Sequence, residues 1–190
     1  MSSTVDNPFF ARMWTVMARH EPESVKRLRR ENLAGLSGRV LEVGAGTGTN
    51  FELYPNTVTE VVAVEPERTD TVEQFSDGEP FDAAVCSLVL CSVDAPDDVV
   101  RQLLSLLKPG GELRYLEHVA STGARERLQK LADATLWPRM AGNCHTHRHT
   151  EQTIVDAGFT VSGARRERVL PAWVPVPTSE VAIGRAVKPA

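Results

Sequence analysis

The stretch Leu41-Glu42-Val43-Gly44-Ala45-Gly46-Thr47-Gly48-Thr49-Asn50, LEVGAGTGTN, decides the fold. It closes a short apolar run, and three glycines then alternate with small residues. A strand that ends in closely spaced glycines lets backbone approach a ligand where any β-carbon would collide. At the carboxyl end of a central strand, this is where open α/β sheets bind nucleotides. The dinucleotide fingerprint G-x-G-x-x-G is not met, because Thr49 stands where its last glycine is needed. The spacing is instead E-x-G-x-G-x-G. Glu42 would repel a pyrophosphate but suits a ligand carrying an ammonium group. Glu65, 21 residues after Gly44, closes the next apolar run and suits a ribose diol. A nucleoside with an amino-acid arm satisfies both carboxylates.

Outward from the turn, strands and helices alternate. RVLEVG, EVVAVE, FDAAVCSLVL, GELRYLEHV, FTVSGARRERV and SEVAIGRAV read as strands, and the continuous Val and Ala of EVVAVE suit burial on both faces. Phe10, Met13, Trp14 and Met17 fall at helical spacing. Further helices are expected from Pro22 to about Leu33, briefly through Phe51, from Asp94 to Leu107 with Asp94 as cap, from Arg125 to Leu136, and from Thr150 to Gly158. This alternation implies an α/β layered domain. The closing pair of strands has no helix between them and implies an antiparallel edge.

The 190 residues favour one domain, and 42% hydrophobic with 24% charged residues is an ordinary globular composition. A formal charge of -4 supplies no overall basic field for nucleic acid or anionic lipid. The one dense basic run, Lys26-Arg27-Leu28-Arg29-Arg30, reads as a solvated helix face. Three cysteines, Cys86, Cys91 and Cys144, are an odd number without C-x-x-C spacing. Cys86 and Cys91 lie in an apolar run, where thiols behave as small hydrophobes. A reducing, cytoplasmic setting is expected, with neither a signal peptide nor a membrane span.

The chain resembles the class I S-adenosylmethionine-dependent methyltransferases of the type 11 domain group, and within it the small branch that includes the animal thiol methyltransferases. The likeness is carried by VLEVGAGTGTNFELYP, VVAVEPE, FDAAVCSLVLCSV, LLKPGGELRYLEHV and GNCHTHRHTEQTIVDAGF. It implies a Rossmann-like sheet with helices on both faces, S-adenosylmethionine as cofactor and S-adenosylhomocysteine as product. It further implies a helical lid over residues 1–36 on a core of residues 37–190. By position, Gly44, Ala45 and Gly46 would lie against the cofactor's methionine part, with Glu42 beneath. Glu65 would hold the ribose hydroxyls, Pro66 would flank the adenine, and Thr71 and Val72 would form its rim. Cys86, Ser87 and Leu88 would line the side near the sulfonium, and Trp14 would belong to the lid.

One segment departs from the family pattern. Only 15 residues separate Glu65 from Phe81, where the family fits a helix, a strand and a further turn. A parallel crossover itself needs a dozen residues or more, which leaves no room for an extra strand. The missing piece is the helix after Glu65 and most of the third strand, with the join near Arg68 to Asp70. Either the deletion is real and the sheet has six strands, or a stretch of chain has been left out between them.

Methyl transfer from a sulfonium is an in-line displacement that needs alignment more than a protein nucleophile. A base helps when the acceptor is a thiol, a phenol or an acidic carbon. His118, closing the strand ELRYLEH, and His145 are the acceptor-side candidates. His145, His147 and His149 alternate as a metal set could, but they read as polar loop residues, and no metal is expected. Without a large added domain, the partner is a small-molecule methyl acceptor. A nicotinamide-dependent oxidoreductase is disfavoured by Thr49. The alternative is a protein that binds the cofactor but has lost turnover and serves binding or assembly.

Overall fold

The computed structural model describes residues 21–64, 78–171, 173–174 and 176–190. Trp14, Glu65, Pro66, Thr71 and Val72, and the join expected near residues 68–70, lie outside the described residues. In chain order the elements are helix α1 (Glu23–Leu33), strand β1 (Gly38–Val43), a helical turn (Phe51–Leu53), β2 (Val58–Val64) and β3 (Phe81–Ser87). Then follow α2 (Pro96–Leu106), β4 (Leu107–His118), α3 (Gly123–Asp133), α4 (Trp137–Met140), α5 (Thr150–Asp156), β5 (Thr160–Arg168) and β6 (Glu180–Val187). Among the described residues, no helix is long and apolar enough to cross a membrane.

The six strands form one sheet in the order β2-β1-β3-β4-β6-β5. The first four run parallel, and β6 is antiparallel to both β4 and β5. Strand order therefore reverses at β1, which has β2 on one side and β3 on the other. Register brings Val43, Cys86 and Tyr115 into one row, so β1, β3 and β4 end along a common edge.

Each face is covered by helices whose apolar stripe the sequence supplies. On one face α1 inserts Leu33, with Leu36 beyond its end, against Val40, Ala83 and Val85, and Leu28 against Leu116, Val181 and Ile183. On the other, Val100 and Leu103 of α2 and Ile154 of α5 close over Leu41, Val43, Ala84, Cys86, Leu113 and Tyr115. Fully burying one such Leu or Ile contributes about 1.5–3 kcal/mol. β3 lies at the centre, which is why FDAAVCS is almost continuously buried.

Two local expectations change. β2 is not buried on both faces: among the described residues it is an outer strand, and only Val64 of its seven residues is buried. A strand needs a neighbour on each side to lose both faces to the core. Asp94 does not cap α2, whose cap position is Ala95. Its carboxylate accepts instead from Asn143 Nδ2 at 2.9 Å, tying the start of α2 to a distant loop.

The β4–β6 pairing sets Tyr115 opposite Gly184. The tyrosine ring lies over the glycine, and a β-carbon there would stand 2.3 Å from Oη and 2.5 Å from Cζ. Tyr115 is fully buried, and burial pushes its hydroxyl up to about 12. Gly184→Ala should therefore cost about 1–3 kcal/mol of stability, the scale for forcing one extra carbon into a packed core. Urea unfolding checks this. An unchanged midpoint would mean that the ring is free to move aside.

Candidate functional site

The glycine turn rests on a buried polar chain. Glu42, near the end of β1, is 2% exposed, and a carboxylate there needs donors. Asn50 Nδ2 donates to its Oε1 at 2.8 Å and the Tyr54 hydroxyl to its Oε2 at 2.9 Å. Burial, and the Glu42 charge next to it, push the Tyr54 hydroxyl far up, so it stays a donor. Asn50 Oδ1 in turn accepts from Arg29 Nη1 at 3.1 Å, and Arg29 pairs with Glu21 at 3.0 Å. The basic run of α1 is thus not wholly a solvated face. Arg27 and Arg30 pair at the surface with Glu167 and Glu23, but Arg29 is 6% exposed. The reason is helical phase: Val25, Leu28, Arg29, Asn32 and Leu33 form the buried stripe.

Above Glu42 the chain turns with Gly44 at φ 71°, Gly46 at 54° and Gly48 at 77°. Gly44 N donates to Val64 O at 2.7 Å, and a β-carbon on Gly44 would stand 2.5 Å from Val89 Cγ2. The glycine at 44 therefore admits a protein side chain, and the loop after β3 is drawn against the turn. Gly46 and Thr47 are exposed.

That loop begins at Ser87, whose Oγ accepts from Asn50 Nδ2 at 3.3 Å. Leu88 follows at φ 60°, a conformation unusual for a bulky residue. It is held by Leu88 N donating to Leu116 O at 2.7 Å, and its side chain packs toward Leu28 and Leu116. Cys86 is fully buried in the larger core. Glu117 of β4 has no exposure, and its carboxylate accepts from the backbone N–H of Val89 (3.0 Å), Leu90 (3.0 Å) and Cys91 (3.2 Å). Burial pushes this carboxyl up, opposed by those three donors.

Cys91 then meets residues from two other segments. His118 Nδ1 stands 3.5 Å from Cys91 Sγ and 3.6 Å from Cys144 Sγ, and the sulfurs are 3.6 Å apart. All three cysteines are free. The Cys144 thiol beside it, together with burial, holds the Cys91 thiol well above its usual range. The segment carrying Cys144 and His145 is clamped by Asp133, which accepts from Thr146 N, Thr146 Oγ1 and His147 N at 2.8–2.9 Å. His145 N donates to Cys91 O at 2.8 Å. Burial, then the nearby Arg148, hold the His145 imidazole below its ordinary value. His147 and His149 meet edge-on at 5.2 Å, with His147 Nε2 3.5 Å from Glu126.

Of the residues singled out from sequence, Glu42, Gly44, Ala45, Gly46, Ser87, Leu88, His118 and His145 gather along the carboxyl ends of β1, β3 and β4. Sequence reasoning missed Arg29, Asn50, Glu117 and the Cys91–Cys144 approach. Only Arg29 carried a signal, its phase on α1. A separate hollow of about 540 Å³ opens at the opposite ends of the strands, lined by Arg39, Glu60, Asp82 and Lys108 among others. Four of its charges are paired, Arg39 with Glu60 and Lys108 with Asp82.

A glycine turn at a point of strand-order reversal, over a buried carboxylate, is the geometry of a nucleotide-type site. A methyltransferase-domain family model matches residues 17–161, and the chain belongs to that family. It is an S-adenosylmethionine-dependent methyltransferase. Thiol S-methyltransferase TMT1B of Mus musculus is 32% identical over 212 aligned positions, spanning 95% of this chain and 85% of the relative. That alignment is longer than the 190 residues present here, so the relative carries a stretch without counterpart. Thiol S-methyltransferase TMT1A of Homo sapiens is 30% identical over 80% of this chain and 75% of its own. Among solved structures, the N-methyltransferase NodS of Bradyrhizobium japonicum in complex with S-adenosylhomocysteine superposes with a TM-score of 0.62 at 19% identity, covering 97% and 90% of the two chains. The cofactor fits what the turn offers: exposed backbone at Gly46 and the buried Glu42 carboxylate at the end of the strand that leads into it.

Asn50 is the bridge that lets Glu42 and Arg29 share one buried place. Asn50→Ala removes one buried donor from Glu42 and the acceptor for Arg29 Nη1, and should lower the stability of the cofactor-free protein by about 1–3 kcal/mol. Chemical denaturation measures it. Unchanged stability, with cofactor affinity alone reduced, would make Asn50 a ligand contact and not a support.

Proposed function

We propose that this enzyme methylates the sulfur of a small-molecule thiol. The observation that carries the reading is the contact of Val89 with Gly44, since it joins the cofactor turn to the loop that leads to Cys91, His118 and His145. Cofactor and acceptor sides thereby share one edge of the sheet. The relatives named as thiol S-methyltransferases cover 95% and 80% of the chain and suggest the acceptor class.

In this reading Gly44, Ala45 and Gly46 cradle the methionine arm and Glu42 attracts its ammonium group. The family resemblance assigns Glu65 the ribose hydroxyls, Pro66, Thr71 and Val72 the adenine, and Trp14 the cover. Cys86, Ser87 and Leu88 border the sulfonium side. Bound S-adenosylmethionine supplies an electrophilic methyl group for a single in-line displacement. The protein's contribution is alignment, which can lower a barrier by as much as about 7–11 kcal/mol when the reacting groups are held in line. It must also ease the thiol's proton away, because the thiolate is the nucleophile. His118 and His145 are the imidazoles on this edge.

Methyl transfer from isotopically labelled cofactor to a panel of alkyl and aryl thiols, phenols and amines tests the proposal. S-methyl products should form fastest. A phenol or amine methylated faster than every thiol would overturn the thiol reading while leaving the methyltransferase assignment intact.

A further inference from the structure

Three side chains that the sequence scatters over positions 91, 118 and 144 converge on one point. Their donor atoms all lie within 4.8 Å of one another, with edges of 3.6 Å between the sulfurs and 3.5 and 3.6 Å from sulfur to His118 Nδ1. A tetrahedral zinc ion bonds sulfur at about 2.3 Å and nitrogen at 2.0–2.1 Å, which sets two sulfurs about 3.8 Å apart and sulfur from nitrogen about 3.6 Å. The observed triangle matches those edges to within about 0.2 Å, the tolerance expected of a metal site. A disulfide would need the sulfurs at about 2.05 Å.

We propose that Cys91, His118 and Cys144 bind one zinc ion through Sγ, Nδ1 and Sγ, and that its fourth position takes the acceptor's sulfur. Only three donors meet here among the described residues, and three protein ligands with one position left over is the pattern of a catalytic zinc and not of a closed structural one. Cys91 and Cys144 are buried, whereas His118 keeps partial exposure, so the cluster lies close to the surface. Charge also balances. Two thiolates offset the charge of a divalent ion.

The carriers of all three ligands are fixed in advance. Glu117 holds the Cys91 amide, and Cys91 O accepts from His145 N. Arg148 Nη1 donates to Leu90 O at 2.7 Å, and Asn143 Nδ2 donates to Ser92 O at 2.7 Å, joining the two loops on either side of the sulfur pair. Such buttressing is what a metal site requires.

The assignment of the fourth ligand rests on the thiol reading. A thiol entering the open position gives its proton to solvent and fills the position with a sulfur electron pair, with no change of oxidation state. A coordinating thiol is deprotonated outright, which assigns the activation step to the ion and makes His118 a ligand, not a free base.

The full-length protein, stripped with a chelator under reducing conditions, should bind zinc at about one ion per chain in competition with a chromophoric chelator. Cys144→Ser and Cys91→Ser should each weaken binding by more than the roughly 10–100-fold typical of a residue that only supports a ligand. Cobalt(II) should give tetrahedral visible bands with a sulfur charge-transfer band, and adding an acceptor thiol should shift the former while a phenol should not. Absence of tight zinc binding by the unmutated protein would overturn the proposal. Loss of two free thiols in air, with zinc still not bound, would overturn it in favour of a redox pair. Zinc binding with no spectral response to thiols would overturn the fourth-ligand assignment and leave the three-residue site standing. Failure of thiol methylation in an enzyme that binds zinc would count against the thiol reading alone.

Discussion

A carboxylate with no access to water organises this molecule's working edge. Glu117 lies near the end of β4, and burying its charge is tolerable only because three consecutive backbone amides of the loop after β3 point at it. The bonds act in both directions. They satisfy the carboxylate, and they fix residues 89–91 within a connection that has neither helix nor strand of its own. Once fixed, that loop presses Val89 onto Gly44 and delivers Cys91 to His118. A side chain without acceptor atoms at position 117 would leave these three amides without acceptors where the loop after β3 meets the glycine turn.

A second buried carboxylate has the matching role on a nearby strand. Glu42 supports the glycine turn through Asn50 and Tyr54, and Asn50 reaches on to Ser87 at the start of the same loop. The two networks therefore meet across β1, β3 and β4. Parallel pairing makes this possible, because it ends all three strands at the same edge. The site depends on register as much as on side chains.

The fold was largely legible in the sequence because it rests on patterns with a fixed period. All six strands overlap the stretches read as strands, although β4 begins at Leu107, ahead of the expected Gly111, and the glycine turn stands at the end of β1. Legibility failed where a residue's role depends on a partner far along the chain. The continuous apolar run of β2 gave no hint that the strand would lie at the sheet's outer side. Arg29 looked like one of four basic surface residues until helical phase put it inward. The approach of Cys91 to Cys144 spans 53 residues, and no local spacing could announce it. His118 drew attention as a strand-ending histidine, whereas Glu117 beside it passed unremarked, since a buried acid in a strand has no sequence signature until its donors are known.

The central claim is that one sheet edge gathers cofactor and acceptor together, over the turn that Glu42 supports and beside the loop that Glu117 fixes. A crystal structure of the protein with S-adenosylhomocysteine tests it most directly. The account predicts the amino-acid arm on Gly44–Gly46 and the cofactor's sulfur directed toward the Ser87–Cys91 loop. A cofactor bound in the hollow at the opposite ends of the strands, or lying on the turn with its sulfur directed away from that loop, would contradict it.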